Sequence, residues 1–481
     1  MRCLFCRTDL DTVHWAFDGV SDQPVQACKE CCDRLRLKVW RVETGEGGGN
    51  DLPVRADCVY CGTPLPSKDT HPVIVWVRGE HGVEAVCNAC RIRYGRETQF
   101  VTLPHADWDE TDWPRDNTTL LRQLFAEGAI DLQRGPLFDS VPPDIPANFD
   151  WDRVDGMLLG LAIGDALGNT SEGMRPAERR ARFGEIRDYI QHWHSHEVAR
   201  PSDDTQLAFW TLDQLLEDDG LVPEHLAKRF ASERIFGIGQ AVHQAMQAVR
   251  LSKRPWYQCG TPSAGNGALM RIAPMLVPYV RSPSPDLWVD TALSAIVTHN
   301  DGASTSACLA FVAMLWQLLR MDAPPEPPWW RREYVRLARD LEGETQYAPC
   351  GGAYQAYSGT MWRFVDERLA AAEAADLTTL EACEQWYSGA YLLETVPSVL
   401  YILERHAADP EEALVRAVND TKDNDTIAAI VGAAVGALHG AAALPERWVT
   451  GLSGKTRRDD DGEVRRIMVR AQERWDITRS P

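Results

Sequence analysis

Two apolar segments of this chain carry a glycine at every fourth residue, and that spacing restricts the possible folds more than any other feature. The glycines stand at positions 156, 160, 164 and 168 in the first segment and at 432, 436 and 440 in the second. Residues four apart lie on one face of an α-helix, so each segment would present a stripe without side chains. Such stripes let two helices pack closely. A membrane helix dimer is the alternative, and Asp165 within the first segment opposes it.

The region from residue 151 to about 445 is predicted to be almost entirely helical. Apolar residues recur at helical spacing at 155–167, 205–216, 230–249, 288–297, 304–319 and 427–438, and no convincing alternating strand lies between them. The expected fold class is therefore mainly α. A small domain of β-hairpins and cysteine knuckles is expected to precede it, for reasons given below.

Two acidic motifs stand at the starts of predicted helices. Ser202-Asp203-Asp204-Thr205 precedes one apolar run, and Asp423-Asn424-Asp425-Thr426 precedes another. A serine or aspartate at such a position is usually an N-cap, whose side chain accepts a hydrogen bond from a free backbone N–H. Each motif nevertheless has more carboxylates than capping requires. Clustered carboxylate and hydroxyl oxygens favour magnesium, manganese or calcium over a thiophilic metal.

Together with five further motifs, these two resemble the ADP-ribosylglycohydrolase family in both content and order. The matching features are the glycine-rich helix at 156–168, Glu172, the acidic motif at 202–205, Gly265-Asn266-Gly267 and the residues that follow to 274, Thr298-His299, Ser388-Gly389-Ala390-Tyr391 with Glu394-Thr395, and the acidic motif at 423–426. The resemblance covers about 151–445. It implies an all-helical domain that holds its metals in a central cleft.

The resemblance also implies a reaction and its participants. The reaction would be hydrolysis of the glycosidic bond between ADP-ribose and an acceptor, carried by two magnesium or manganese ions. Asp203 and Asp204 would bind one ion beside the Ser202 oxygen. Asp423 and Thr426 would bind the second, and Asp425 would bridge the two. The catalytic residues expected are Glu172, Asp203 and Asp204, with Glu172 also near a metal and positioning water or accepting its proton. Asp165 is expected to be structural.

The remaining family motifs would hold the nucleotide of an ADP-ribosylated protein or nucleic acid. Gly265, Asn266 and Gly267 offer backbone N–H groups where side chains would obstruct a phosphate, and His299 would hydrogen-bond the diphosphate. Gly389 and Tyr391 would line the adenosine end. Each also has an ordinary structural explanation, as a turn, a core histidine or a core aromatic residue.

One departure from the family leaves a second function open. The family usually has two glycines before the second acidic motif, where this chain has Thr421-Lys422. A lysine there would either weaken the second metal site or point outwards. The alternatives to a hydrolase are a catalytically silent ADP-ribose-binding module and a zinc-ribbon nucleic-acid or scaffold protein. The alternating His192, His194 and His196 are interpreted as a polar loop rather than a metal site.

The cysteines predict a separate N-terminal domain. Nine of the 13 cysteines precede residue 91. Eight of them form CxxC pairs with the spacing of two tandem zinc ribbons, because each pair offers two thiolates to one ion. The predicted zinc ligands are Cys3, Cys6, Cys28, Cys31, Cys58, Cys61, Cys87 and Cys90. Cys32 is a spare thiol that could replace Cys31. A disulfide framework or redox pairs are the alternatives.

Charge and composition complete the expected organisation. The net charge is −20, and residues 1–105 hold 13 Lys and Arg against 14 Asp and Glu, so no basic surface favours nucleic acid. The zinc ribbons are therefore expected to dock a protein partner or substrate. No secretory segment or membrane span is evident, and a cytoplasmic location is expected. The predicted domains are 1–105 (zinc ribbons), 106–150 (acidic linker), 151–445 (helical domain) and 446–481 (charged extension).

Overall fold

The structure is a computed structural model. It describes residues 116–476 apart from Ala147, 192–196 and Lys253, together with Lys29, Cys32 and eight strands that precede residue 87. The chain divides into two compact units, one formed by residues 1–109 with 247–255 and the other by residues 110–246 with 256–481. Each unit is treated separately below.

The first unit contains the strands. They are β1 (Thr12–Phe17), β2 (Val25–Ala27), β3 (Lys38–Thr44), β4 (Gly49–Asp51), β5 (Ala56–Asp57), β6 (Pro64–Leu65), β7 (Val75–Gly79) and β8 (Gly82–Val86). The first four form an antiparallel sheet in the order β2-β1-β3-β4, and the rest form two antiparallel pairs. Strands β7 and β8 pair from Val75 with Val86 to Gly79 with Gly82. The eight predicted zinc ligands lie outside the described residues.

The second unit is helical. Its helices are α1 (Asn117–Glu127), α2 (Asp152–Gly168), α3 (Pro176–Phe183), α4 (Asp203–Asp218), α5 (Pro223–Ser232), α6 (Gln240–Leu251, whose last residues belong to the first unit), α7 (Asp286–Ile296), α8 (Gly302–Leu318), α9 (Pro328–Glu342), α10 (Met361–Ala374), α11 (Thr379–Gln385), α12 (Leu392–His406), α13 (Pro410–Asp420), α14 (Asn424–His439), α15 (Glu446–Gly451) and α16 (Glu463–Trp475). Short 3₁₀ turns join several of them. Within the described part of this unit, β structure is confined to isolated bridges.

Helices α2 and α14 form the centre of this unit, and the two glycine stripes face each other there. A methyl group on Gly160 would lie 2.1 Å from the Gly432 carbonyl oxygen, and one on Gly164 would lie 2.1 Å from that of Ala428. Since no side chain fits between them, the two backbones are in direct contact. The close packing predicted from the stripes is therefore present, and it brings the start of α14 beside the end of α2.

The predicted apolar runs correspond to helices with one correction. The run at 230–249 was expected to be one helix, but the chain leaves helix after Ser232 and resumes it at Gln240. Gly237 has a left-handed backbone (φ 57°), and a side chain at Gly239 would meet open space. Two glycines in a short interval lower the helix propensity of the chain, and a prediction from apolar periodicity alone does not include that effect.

The expected linker packs along the helical unit from residue 116 onwards. The Asn117 amide donates to Asp290 on α7 (2.7 Å), and the indole N–H groups of Trp288 and Trp316 donate to the carbonyl oxygens of Ser140 and Pro143. Of the helices that the structure describes, none combines the length and apolarity needed to cross a bilayer.

Candidate active site

The two acidic motifs begin neighbouring helices, as predicted, but only one of them is capped by its own side chain. Ser202 precedes α4 and its hydroxyl accepts from the Asp204 backbone N–H (3.2 Å), which is the ordinary N-cap arrangement. Asp423 precedes α14 without a capping bond from its side chain. Its carboxylate accepts from the Asn266 amide instead (2.6 Å). Capping therefore accounts for Ser202 and leaves the aspartates for another role.

Asp165, Asp204 and Asp425 form the first carboxylate group. One oxygen from each lies within 4.8 Å of the others, and all three side chains are buried. Asp165 lies on α2 and accepts from the backbone N–H groups of Ser202 (3.0 Å) and Thr205 (3.1 Å) and from the Thr205 hydroxyl (2.5 Å). These bonds tie the first turn of α4 to α2, which agrees with a structural role for Asp165.

Glu172, Asp423 and Asp425 form the second carboxylate group, again with oxygens within 4.8 Å of one another. Asp423 and Asp425 are buried, whereas Glu172 is exposed at the edge of the cleft. Asp425 belongs to both groups because it lies where the ends of α2 and α14 meet. A Cβ on Gly168 would lie 2.4 Å from the Asp425 Cα, so the glycine lets this carboxylate reach its position.

The other predicted ligands lie beside these two groups without belonging to either. The Ser202 hydroxyl is 2.8 Å from Asp204 Oδ2, and the Thr426 hydroxyl is 3.4 Å from the same oxygen. Asp203 is buried, but it is in neither group. The structure thus brings together Glu172, Asp204, Asp423 and Asp425, and it places Asp203, Ser202 and Thr426 around them.

Crowding of carboxylates sets the electrostatics of the cleft. Burial, and then repulsion from Asp165, raises the pKa of Asp203 and of Asp204 well above the usual range. Burial, then repulsion from Glu172, does the same to the pKa of Asp425. Desolvation within the cleft and repulsion from Asp423 raise the pKa of Glu172 to about 7. Such a set stays ionised only beside a positive counter-charge.

The donor set fits divalent cations. Asp204 Oδ1 is buried and has no hydrogen-bond partner among the described residues, although a buried carboxylate oxygen normally has one. Both groups consist of carboxylate oxygens, which are the ligands of magnesium, manganese and calcium. An unpaired, buried anionic oxygen facing two other carboxylates is explained by a cation in the first group. The sharing of Asp425 allows a second cation beside it.

The loop at 265–267 approaches the cleft from the other side. Its backbone is fixed by an antiparallel bridge between Gly265 and Tyr391 and by the Asn266 N–H, which donates to the Ala390 oxygen (3.0 Å). The loop lies against the ring of His299, since a Cβ on Gly267 would come within 2.9 Å of the ring. The family-predicted nucleotide residues Gly265, Asn266, Gly267, His299 and Tyr391 are therefore contiguous.

His299 is a neutral, buried ring. It is 1 % exposed, and burial followed by repulsion from Arg271 lowers its pKa to about 3. Its Nδ1 lies 3.0 Å from the Thr298 hydroxyl, which also accepts from Arg271 (2.9 Å). A ring in this state supports the glycine loop and has no positive charge to offer a diphosphate.

Gly389 lies in a strained segment beside the second acidic motif. Tyr387 and Ser388 both have left-handed backbones, with φ of 76° and 45°. The segment is held by the Asp423 N–H, which donates to the Ser388 oxygen (2.9 Å), and by Glu394, whose carboxylate accepts from the backbone of Cys350 and Gly351. A Cβ on Gly389 would lie 2.4 Å from that carboxylate, so only glycine fits there.

Sequence similarity identifies the family to which this arrangement belongs. A family model described as ADP-ribosylglycohydrolase matches residues 146–476, which is more than half of the chain. The chain belongs to the ADP-ribosylglycohydrolase family. As a member of that family it is a glycosyl hydrolase, which confirms the resemblance drawn from the motifs.

Several relatives of this ADP-ribosylglycohydrolase match over most of their own length. An uncharacterized protein of Archaeoglobus fulgidus is 29% identical over 315 residues, covering 63% of this chain and 92% of the relative. The ADP-ribosylarginine hydrolase Tri1 of Pseudomonas putida is 26% identical, covering 62% and 73%. The ADP-ribosyl-[dinitrogen reductase] glycohydrolase of Rhodospirillum rubrum is 24% identical, covering 66% and 97%.

Arg179 of this ADP-ribosylglycohydrolase lies in none of the sequence motifs described above. Its guanidinium is fully buried beneath the second carboxylate group, where its nearest charged neighbours include Asp425. Arg179 stands in the run Glu178-Arg179-Arg180, which has the composition of a solvated helix face. It stands seven residues after Glu172, but a spacing of seven residues does not by itself predict a contact or a role.

Proposed function

We propose that this chain removes ADP-ribose from modified macromolecules by hydrolysing the glycosidic bond to the acceptor, with two magnesium or manganese ions in the cleft. The observation that supports this most directly is the pair of carboxylate groups that share Asp425, with Asp204 Oδ1 buried and unpaired beside them. Bound cations there would orient the ribose hydroxyls and polarise the reacting oxygen. The first ion would be held by Asp204 and Asp425, and the second by Glu172, Asp423 and Asp425.

Other groups in the cleft would accept a proton, position the carboxylates and bind the nucleotide. Glu172 is the accessible carboxylate of the second group, so it is the one placed to accept a proton from the attacking water. The Asn266 amide donates to both Asp423 and the Thr395 hydroxyl (3.0 Å), so it fixes the second group against the glycine loop. A diphosphate would bind beside the loop of Gly265 and Gly267, where no side chain obstructs it. Gly389 and Tyr391 would border the adenosine.

The acceptor is inferred to be an amino-acid side chain of a protein. The names of two relatives refer to ADP-ribosylarginine and to ADP-ribosylated dinitrogen reductase, both protein-linked. The charge of −20 does not favour a nucleic-acid substrate.

The test is release of ADP-ribose from arginine-, serine- and nucleic-acid-linked substrates with and without added magnesium. The wild type is compared with a variant carrying Asp203→Ala and Asp204→Ala. Magnesium-dependent release that the double variant lacks would support the hydrolase and identify the acceptor. Tight ADP-ribose binding without release from any substrate would instead support a catalytically silent binding module. The positive charge of Lys422 beside the second carboxylate group favours that alternative, because it opposes a bound cation.

For the N-terminal part we propose two zinc ribbons over residues 1–105, joined by a linker at 106–150 to the catalytic domain at 151–445 and its extension at 446–481. Four CxxC pairs at ribbon spacing support two zinc ions, and the absence of a basic excess supports docking of a protein partner. Cysteine-bound zinc suits the reducing cytoplasm. Zinc content of the full chain should fall by one ion on Cys58→Ser and be unchanged on Cys383→Ser.

A further inference from the structure

Arg179 makes hydrogen bonds to two separate segments of backbone that meet beneath the second carboxylate group. Its Nε donates to the Ser171 hydroxyl (3.0 Å), and its Nη2 donates to the carbonyl oxygens of Ser171 (3.3 Å) and Met174 (3.0 Å). Its Nη1 donates to the carbonyl oxygens of Thr421 (2.6 Å) and Asn419 (3.3 Å). A longer contact joins Nη2 to the Lys422 oxygen (3.5 Å).

Those two segments carry the second carboxylate group. Residues 171–174 include Glu172, and residues 419–422 lead directly into Asp423 and Asp425. Other bonds between the segments are few: the Gly173 N–H donates to the Lys422 oxygen (3.2 Å), and the Asn424 amide donates to the Ser171 hydroxyl (3.0 Å). The guanidinium is thus the main connection between the loop of Glu172 and the start of α14.

The side chain has no donor left for a ligand. All its N–H groups point at backbone or serine oxygens, and none points at a carboxylate. Burial lowers its pKa to about 10, so it remains charged near neutrality. Burying a charged group has a substantial desolvation cost, so such a group persists only when all its hydrogen-bond donors have acceptors. The guanidinium of Arg179 meets that condition.

We propose that Arg179 is a positioning residue that sets the separation of Glu172 from Asp423 and Asp425 and thereby forms the second cation site. The inference rests on the proposed function, because it assumes cations in the cleft. It concerns chiefly the group that contains Glu172, because the first group shares only Asp425 with it and keeps Asp165 and Asp204. Groups that orient metal ligands without touching the metal commonly change affinity by about 10- to 100-fold when removed.

The test is titration of the full chain with Mn²⁺, followed by electron paramagnetic resonance of the free ion. Wild type should bind two ions, one for each carboxylate group. Arg179→Gln should retain one of them and weaken the other about 10- to 100-fold. Arg179→Lys keeps the charge but cannot reach both segments, so it should lie between the two. It also serves as the milder variant if Arg179→Gln does not fold.

The matched control is Arg271→Gln. Arg271 is equally buried and also has its pKa lowered to about 10, but its bonds go to Ser294 and Thr298. It should lose thermal stability to a similar extent and still bind both ions. Equal Mn²⁺ binding by wild type and Arg179→Gln, or loss of the same site in Arg271→Gln, would overturn the proposal. Failure of wild type to bind two ions would instead count against the metals of the proposed function.

Discussion

The ammonium nitrogen of Lys422 lies 4.8 Å from the centre of the Tyr387 ring. A cation over an aromatic face is stabilised by the ring electrons, and this contact gives the lysine a fixed direction. Burial raises the pKa of both Glu172 and Asp423, and the ammonium lies near enough to offset part of that rise. Of the two outcomes expected from the sequence, the lysine does not point outwards. A weakened second metal site stays a prediction.

Replacing Lys422 should strengthen cation binding in the second carboxylate group. Lys422→Met removes a positive charge that opposes a divalent ion, and an exposed charge pair is worth up to about 1 kcal/mol, so Mn²⁺ affinity should rise about fivefold. Lys422→Arg, which keeps the charge, should leave the affinity near that of wild type. The comparison is made by calorimetric titration at low and high salt. Weaker Mn²⁺ binding in Lys422→Met would show that the lysine supports the site.

Asp204→Asn should stabilise the cation-free protein and reduce its response to magnesium. Asp204 Oδ1 is buried without a partner, and burial and neighbouring charges oppose ionisation of the side chain. Removing an unsatisfied charged group recovers about 1–3 kcal/mol, whereas losing a ligand lowers cation affinity. In thermal unfolding at pH 8, the variant without magnesium should melt a few degrees above wild type. The rise in melting temperature that magnesium gives to wild type should be smaller in the variant, because only the second carboxylate group keeps all its ligands. An unchanged magnesium response would contradict a ligand role for Asp204.

The positions of the acidic motifs could be predicted because they depend on local sequence. Ser202 and Asp423 each stand just before an apolar helical run, so both helix starts were evident. The sharing of Asp425 by two carboxylate groups depends on how closely α2 approaches α14, and glycine spacing indicates close approach without fixing which residues meet. The bridging role of Asp425 was predicted from the family resemblance and could not be predicted from the glycine spacing.

The role of Arg179 could not be predicted, for a physical reason. Arg179 and Arg180 are neighbours in one short helix, yet Arg179 is fully buried and Arg180 is exposed. Which of the two turns inwards depends on the backbone oxygens of residues 419–422, more than 230 positions along the chain. The loop at 233–239 was missed for a local reason instead, because apolar periodicity does not register the two glycines that it contains.

Gly164→Ala should destabilise the fold and weaken cation binding together. The new methyl group would lie 2.1 Å from the Ala428 carbonyl oxygen, so α14 must move. Overpacking of this kind costs about 1–3 kcal/mol, and the movement displaces Asp425 near the start of the same helix. Gly239→Ala is the control, because a Cβ there meets open space. Urea unfolding and Mn²⁺ titration test both effects. Loss of stability with unchanged Mn²⁺ affinity would show that the carboxylates are positioned independently of the stripe.

Asp290→Asn should stabilise the protein, and by more at pH 8 than at pH 5. Asp290 accepts hydrogen bonds from Tyr279 (2.6 Å) and Asn117 (2.7 Å), which an asparagine of the same shape can largely retain. Burial raises its pKa to about 6. A carboxyl group whose pKa is higher folded than unfolded contributes most stability below the unfolded value, near 4, and loses that contribution as the pH rises through about 6.

The neutral asparagine avoids this loss, so its advantage over wild type should grow with pH. Between pH 5 and pH 8 the gain should increase by about 1 kcal/mol, which follows from the shift of roughly two pH units. Urea unfolding of both proteins at the two pH values measures it, with the exposed Asp322→Asn as a control that should show no such trend. A gain that is equal at pH 5 and pH 8 would mean that Asp290 is not strained when ionised. The buried pairing between α1 and α7 would then be maintained equally well with the charge present.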